Sequence, residues 1–319
     1  MIMGKKRKFL AAAAFSVAIA AGIHVANQVI FFNSTRKGRL GGSTDSFYEW
    51  RFGRIYYTKQ GNGRPLLLVH RIHYGACEAE WNELKEELSK HHTVYTLDLL
   101  GCGRSEKPKI TYTNYLYVQL LNEFIRDVIK GKTDIMTSQN AASIATMACL
   151  VEPSLFNRMI FIQPEKISAT AKTPKANHKA LKYLMETPLI GTCLYNMISS
   201  QSSFRGLCRE YYFHDSNKVP AQMAEIMNEA AHLGGPSARY LYASVRSHFT
   251  DIYIGNAIRK LDHSIYVIGS DDEESREATE EYTDFNPAIE TASIPKAGML
   301  MQIERPAEVL ELCRLFLEY

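Results

Sequence analysis

No histidine follows His263 in this 319-residue chain, no CxxC pair occurs among its six cysteines, and no internal repeat or low-complexity tract interrupts it. Each absence excludes something. Cys77, Cys102, Cys149, Cys193, Cys208 and Cys313 are scattered, so they read as free thiols of the core and point to a reducing compartment or an organism sparing with disulfides. No His, Asp or Glu set has ligand spacing, so neither a metal nor a cofactor is expected. A net charge of +3 is too small for a nucleic-acid partner. With 46% hydrophobic and 22% charged residues the chain is not a disordered one, and its length suffices for one large core.

A long apolar run is present at the start. Phe9 to Ala26, FLAAAAFSVAIAAGIHVA, follows the basic cluster Lys5, Lys6, Arg7 and Lys8 and continues through Val29 to Phe32. About 20 apolar residues cross a bilayer, so residues 1–32 are expected to form a membrane anchor that contacts lipid through residues 9–32. Ala18 and Ala20 offer a small-x-small site for the rival reading, a cleaved signal peptide; the run's continuation past them favours an uncleaved anchor. The basic cluster favours a cytoplasmic N-terminus, against Arg36, Lys37 and Arg39 on the other side.

After a linker over residues 33–46, strand-like and helix-like segments alternate. Strands are expected at Phe47 to Phe52, Arg54 to Lys59, Pro65 to Val69, Thr93 to Asp98, Asp134 to Thr137, Arg158 to Gln163, Ser264 to Gly269 and Ala288 to Ile294. Helices are expected at Glu78 to Lys90, Asn114 to Lys130, Asn140 to Glu152 and Pro306 to Glu318. That alternation implies a mostly parallel, doubly wound sheet of about eight strands, opened by a hairpin around Gly53. Residues 166–263 break the rhythm with prolines and helix formers, and read as a helical lid inserted into a core of 47–165 and 264–319. Its Pro188 to Gly191, Tyr195, Tyr211 to Phe213 and Ala231 to Leu233 are apolar candidates for a pocket or for the lid's own packing.

Four stretches together resemble the α/β-hydrolase superfamily. They are PLLLVHRIHYG (Pro65 to Gly75, then Trp81), DLLGCGRSEKP (Asp98 to Pro108), EPSLFNRMIFIQP (Glu152 to Pro164) and IPKAGMLMQIERPAEV (Ile294 to Val309). The second matches the family's D-x-x-G-x-G-x-S turn. The resemblance implies an α/β-hydrolase fold with a nucleophile on a tight strand–helix elbow, followed along the chain by an acid and a histidine.

Carried over position by position, the triad has gaps. The elbow falls on Thr137-Ser138-Gln139-Asn140-Ala141 with Gln139 at its apex, and an amide cannot attack an ester. Ser138 is a hydroxyl one place off, and Ser143 sits between small residues but too far along; both are fallback nucleophiles, with strand-end bonding and helix packing as their plainer roles. Asp272 takes the acid position, or Asp271 by a shift of one, unless these are solvated loop carboxylates. Met299 stands where the family has its histidine, so a serine would have no general base.

The oxyanion loop reads His70-Arg71-Ile72, with arginine in place of glycine. Arg71 can fill the hole, hold an anionic group or turn to solvent. A candidate ligand pocket is Arg71, His73, Ser138, Gln139, Asn140 and Met299, for a small hydrophobic or anionic ligand. Two readings follow. One is a membrane-anchored, hydrolase-like pseudoenzyme that binds rather than reacts; the other is an active ester or lipid hydrolase with a site rearranged around Ser138 or Ser143.

Overall fold

The computed structural model describes residues 2–41 and 46–318. Residues 42–45 of the expected linker and the side chains of residues 2–9, 11 and 12, the basic cluster among them, lie outside the described residues. Eight strands form one sheet: β1 (Ser46–Trp50), β2 (Gly53–Gln60), β3 (Arg64–Val69), β4 (His92–Leu97), β5 (Thr133–Ser138), β6 (Phe156–Ile162), β7 (Ile265–Ser270) and β8 (Glu290–Ile294). Their order across the sheet is β1-β2-β4-β3-β5-β6-β7-β8. The hairpin strand β2 meets its neighbours antiparallel, and every other pairing is parallel.

The sequence explains which strands are central. Every residue of β4, β5 and β7 is buried, as a strand covered on both faces requires, whereas β1 at one edge exposes alternate residues and β8 at the other exposes most of its length. Successive strand residues feed opposite cores. Leu67, Ile135 and Phe161 pack with Phe124, Ala145 and Tyr282 on one face. Leu66, Leu68, Met136 and Ile160 pack with Trp81, Val309 and Phe316 on the other.

Helices α1 (Ile2–Thr35), α2 (Asn82–Leu88), α3 (Asn114–Phe124) and α4 (Ala141–Val151) precede β6. Between β6 and β7 lie α5 (Ala176–Glu186), α6 (Ile190–Ile198), α7 (Gln201–Leu207), α8 (Met223–His232), α9 (Arg239–Arg246) and α10 (Gly255–Ile258). The chain ends with α11 (Glu273–Phe285), α12 (Met301–Glu304) and α13 (Pro306–Leu317).

Helix α11 departs from expectation. Asp271 to Glu274 reads as a solvated loop in sequence, yet Asp272 caps this helix, its carboxylate accepting from Ser275 N–H at 3.0 Å, and Glu273 and Glu274 fill its first turn. Acidic residues favour a helix N-terminus because its N–H groups are unpaired and its dipole is positive there. The helix is hard to see because its buried face is Ser275, Ala278 and Tyr282 rather than aliphatic.

The stretch Ala13–Thr35 of α1 is long and apolar enough to cross a membrane, at 23 residues or about 34 Å of helix. Its last turns are not free. Asn27 and Phe31 are buried where α1 packs on α6 and α8: Asn196 Nδ2 donates to Asn27 Oδ1 at 2.8 Å, and the Phe31 ring meets His232 edge-on. Beyond the helix, Arg39 and Leu40 N–H groups donate to the buried Glu229 carboxylate at 2.8 and 3.1 Å, and Arg104 donates to Leu40 O.

Candidate active site

The turn after β4 shows how the D-x-x-G-x-G-x-S motif is built. Asp98 is fully buried and its carboxylate accepts from Glu78 N–H at 2.6 Å and Arg104 N–H at 2.7 Å. Gly103 has φ +44, and a Cβ there would sit 2.3 Å from the Asp98 carboxylate, so no other residue fits. Ser105 Oγ donates to Asp98 O and accepts from Tyr56 N–H, pinning the turn to β2. Lys107 is buried beneath it and donates to Gly103 O at 2.5 Å; desolvation lowers its pKa from 10.5 to about 8.

The turn after β5 carries Gln139, the residue that the family resemblance aligns with the nucleophile. Gln139 has φ +51, a left-handed conformation that non-glycine residues rarely adopt and that marks a tight strand-to-helix elbow. Its N–H donates to Ile162 O at 2.9 Å, and its side-chain amide is buried and donates to Met299 O at 3.2 Å. The amide therefore spans from the elbow to the loop on which the histidine would stand, and Met299 itself is 38% exposed.

The two fallback hydroxyls are occupied. Ser138 is fully buried and accepts from Gln302 Nε2 at 3.3 Å. Ser143 Oγ donates to Asn140 O at 2.8 Å, one turn back along α4. Asp272 is engaged at the start of α11, where Ser270 Oγ also donates to it, and Asp271 accepts from Lys296 N–H at 2.8 Å.

The oxyanion loop is closed by its own neighbour. Ile72 N–H donates to Asn140 Oδ1 at 2.8 Å and Asn140 Nδ2 donates back to Ile72 O at 3.2 Å. A backbone N–H from this loop is what the fold ordinarily offers an oxyanion. His70 is fully buried; its Nε2 accepts from Leu99 N–H, so Nδ1 carries the proton and donates to Arg71 O, and burial lowers its pKa.

Arg71 does not turn to solvent. Its guanidinium lies 3.3 Å from Glu80, both side chains being 3% exposed, and sits 4.1 Å from the centre of the Tyr212 ring contributed by the helical insertion. None of its three side-chain nitrogens has a hydrogen-bond partner among the described residues. His73 accepts from Gly75 N–H and faces Tyr212 Oη at 3.5 Å. Burial first, then Arg71 and His70, hold its pKa well below the usual value, so it is neutral. Burial raises the thiols of Cys77, Cys149, Cys208 and Cys313 as it does Cys102, which reaches about 12, so none of these is a thiolate nucleophile at neutral pH.

Three residues of this region, Gln163, Glu304 and Glu80, were not singled out in the sequence. Gln163 repeats Gln139 at the end of β6: it has φ +47, donates to Gly298 O at 3.2 Å and accepts from Ser275 Oγ at 2.6 Å. The parallel placement of glutamine in TSQN and FIQP was its one signal. Glu304 accepts from Gly298, His214 and Asp215 N–H groups, tying the loop to the insertion. Glu80 and Tyr212 complete the Arg71 environment, which only tertiary contact assembles.

A profile of the Alpha/beta hydrolase family matches residues 66–312. The chain belongs to that family. Among curated hydrolases, it is 24% identical to a proline iminopeptidase of Heyndrickxia coagulans over 84% of this chain and 96% of that one. It is 28% identical to 2-hydroxy-6-oxo-6-(2'-aminophenyl)hexa-2,4-dienoic acid hydrolase of Metapseudomonas resinovorans over 33% of this chain, a match spanning 37% of that enzyme. Two solved hydrolase structures share the fold. A serine hydrolase involved in carbazole degradation superposes with TM-score 0.71 at 18% identity, covering 86% of this chain and 98% of that one. A membrane phospholipase A superposes with TM-score 0.68 at 17% identity, covering 98% of each chain.

Proposed function

We propose that this hydrolase-family chain is a membrane-anchored pseudoenzyme, held by α1 as a single uncleaved pass with its N-terminus on the cytoplasmic side, that binds a ligand where its relatives react. The observation that carries the reading is the bond from Gln139 to Met299 O: the apex of the elbow holds an amide, and that amide is tied to the backbone of the residue at the histidine position. Neither group can accept a proton from a hydroxyl and return it to a leaving group, which is the work of the triad's base. The closed Ile72–Asn140 pair supports the same reading, since it removes an oxyanion donor worth about 10²–10³ in rate.

The ligand is a small hydrophobic molecule with an anionic group, held beneath the insertion near Arg71, His73, Gln139 and Met299. Arg71 supports this because its buried guanidinium is paired with Glu80 at 3.3 Å but makes no hydrogen bond among the described residues, so its donors are open to a carboxylate or phosphate. The alternative, hydrolysis through Ser138 or Ser143, has no comparable support: both hydroxyls are bonded within the protein.

A fluorophosphonate probe on the full chain in detergent tests the reading. No serine labelling and no turnover of short acyl esters is expected. Stoichiometric labelling of Ser138 or Ser143 would overturn it in favour of the active hydrolase.

A further inference from the structure

Large apolar side chains are exposed unevenly over this molecule. On α1 they run from Leu10 and Phe15 through Val17, Ile19 and Val25 to Phe32. The next concentration is on the two helices of the insertion nearest it in sequence order, where Tyr183 and Leu184 on α5 are 77% and 42% exposed, and Ile190 and Met197 on α6 are 58% and 65% exposed. Elsewhere such residues occur singly, as Tyr115, Val151 and Leu315 do.

Position makes the second group continuous with the first. Helix α6 buries Gly191, Thr192, Tyr195 and Asn196 on its inner side, and Asn196 holds Asn27 of α1. Ile190 and Met197 are seven residues apart, hence on one face, and Met197 adjoins the residue that grips α1. Helix α5 packs against α6 and carries Tyr183 and Leu184 in its last turn. From the N-cap of α5 onward, Lys175, Lys179 and Tyr183 recur every four residues, all exposed, basic and then aromatic. That order suits a helix lying at a lipid headgroup layer, with ammonium groups toward phosphates and the ring toward the acyl boundary.

The mounting of α1 is stiff. Leu40 is held by Glu229 on one side and Arg104 on the other, and Lys37 and Arg39 pair with Glu225 on α8 at 2.9 and 3.0 Å. A helix fixed in this way by its last turns to α6 and α8 holds these two helices close to any bilayer that it enters.

We infer that the outer face of α5 and α6, with Tyr183, Leu184, Ile190 and Met197, is a second membrane contact that rests on the headgroup region of an anionic phospholipid bilayer beside α1. The inference rests on the anchoring reading of α1. It holds the insertion, and so the cover over Arg71 and Gln139, against lipid, where an amphiphile could reach them without crossing water.

The test uses the full chain in phosphatidylcholine–phosphatidylglycerol vesicles carrying lipids brominated near the headgroup end of the acyl chains. Three variants, Phe15→Trp, Met197→Trp and Leu315→Trp, are compared with the parent, whose Trp50 and Trp81 set the background. Quenching of Phe15→Trp and Met197→Trp above background, with Leu315→Trp at background, is expected. Quenching of Phe15→Trp alone would overturn the second contact and leave the anchor standing. A blue-shifted but unquenched Met197→Trp would assign the face to a second copy of the chain and overturn the inference as well. Loss of quenching at Phe15→Trp would remove the anchoring reading itself, and this inference with it.

Discussion

The turns after β4 and after β5 follow the two strands that flank β3 in one sheet, yet they hold different things. In the first, Asp98, Gly103 and Ser105 of the family motif each hold backbone, through carboxylate, missing Cβ and hydroxyl. In the second, the backbone takes a tight left-handed turn and the side chain at its apex, Gln139, is bonded to Met299 O. The contrast teaches that the two kinds of residue answer to different physics. A group whose task is to satisfy buried polar atoms cannot be exchanged without cost, whereas a nucleophile can be exchanged for any side chain that tolerates the elbow and finds a hydrogen bond there.

The comparison can be broken most severely at Gly103. Gly103→Val forces a Cβ into the Asp98 carboxylate at a left-handed φ, and a loss of about 4 kcal/mol or more is expected in urea denaturation. A near-native midpoint would show that the turn is not the rigid element described.

An effect of similar size is expected on the other side of the site. Arg71→Met leaves Glu80 buried and unpaired and is expected to destabilise by about 3–5 kcal/mol, most of it regained in Arg71→Met with Glu80→Met. If the double variant is no more stable than the single one, the pair is not the reason for the burial.

Lys107 gives a pH-dependent signature to the β4 turn alone. Its pKa is about 8 folded against 10.5 ordinarily, so the folded state binds fewer protons between those values and this group makes stability rise with pH across that window. Lys107→Met is expected to flatten that part of the wild-type curve, measured as denaturation midpoints at intervals of pH. The smallest change is expected at the elbow: Gln139→Gly relieves the positive φ as it gives up one hydrogen bond, for a net change within about 1 kcal/mol.

How much was legible differs by region in the same way. The eight strands were legible because central strands are short apolar runs and the hairpin is marked by Gly53, whereas α11 was not, since its buried side is serine, alanine and tyrosine. Gln139 on the turn after β5 and Met299 in the C-terminal motif could be picked out from motif spacing. The bond that joins them, and the matching role of Gln163, were not, because each links a strand end to a loop more than a hundred residues away.

By itself the sequence determined the fold, the apolar N-terminal helix and the residues that its motifs bring together, because periodicity and motif spacing are local properties of the chain. Tertiary structure alone decided what those residues do. It buried Arg71 against Glu80 and Tyr212, turned Asn140 onto Ile72, set Asp272 to cap a helix and docked α1 onto α6 and α8. The physical reason is that a polar side chain takes its role from the partner that satisfies it, and those partners are brought together only when the chain is packed.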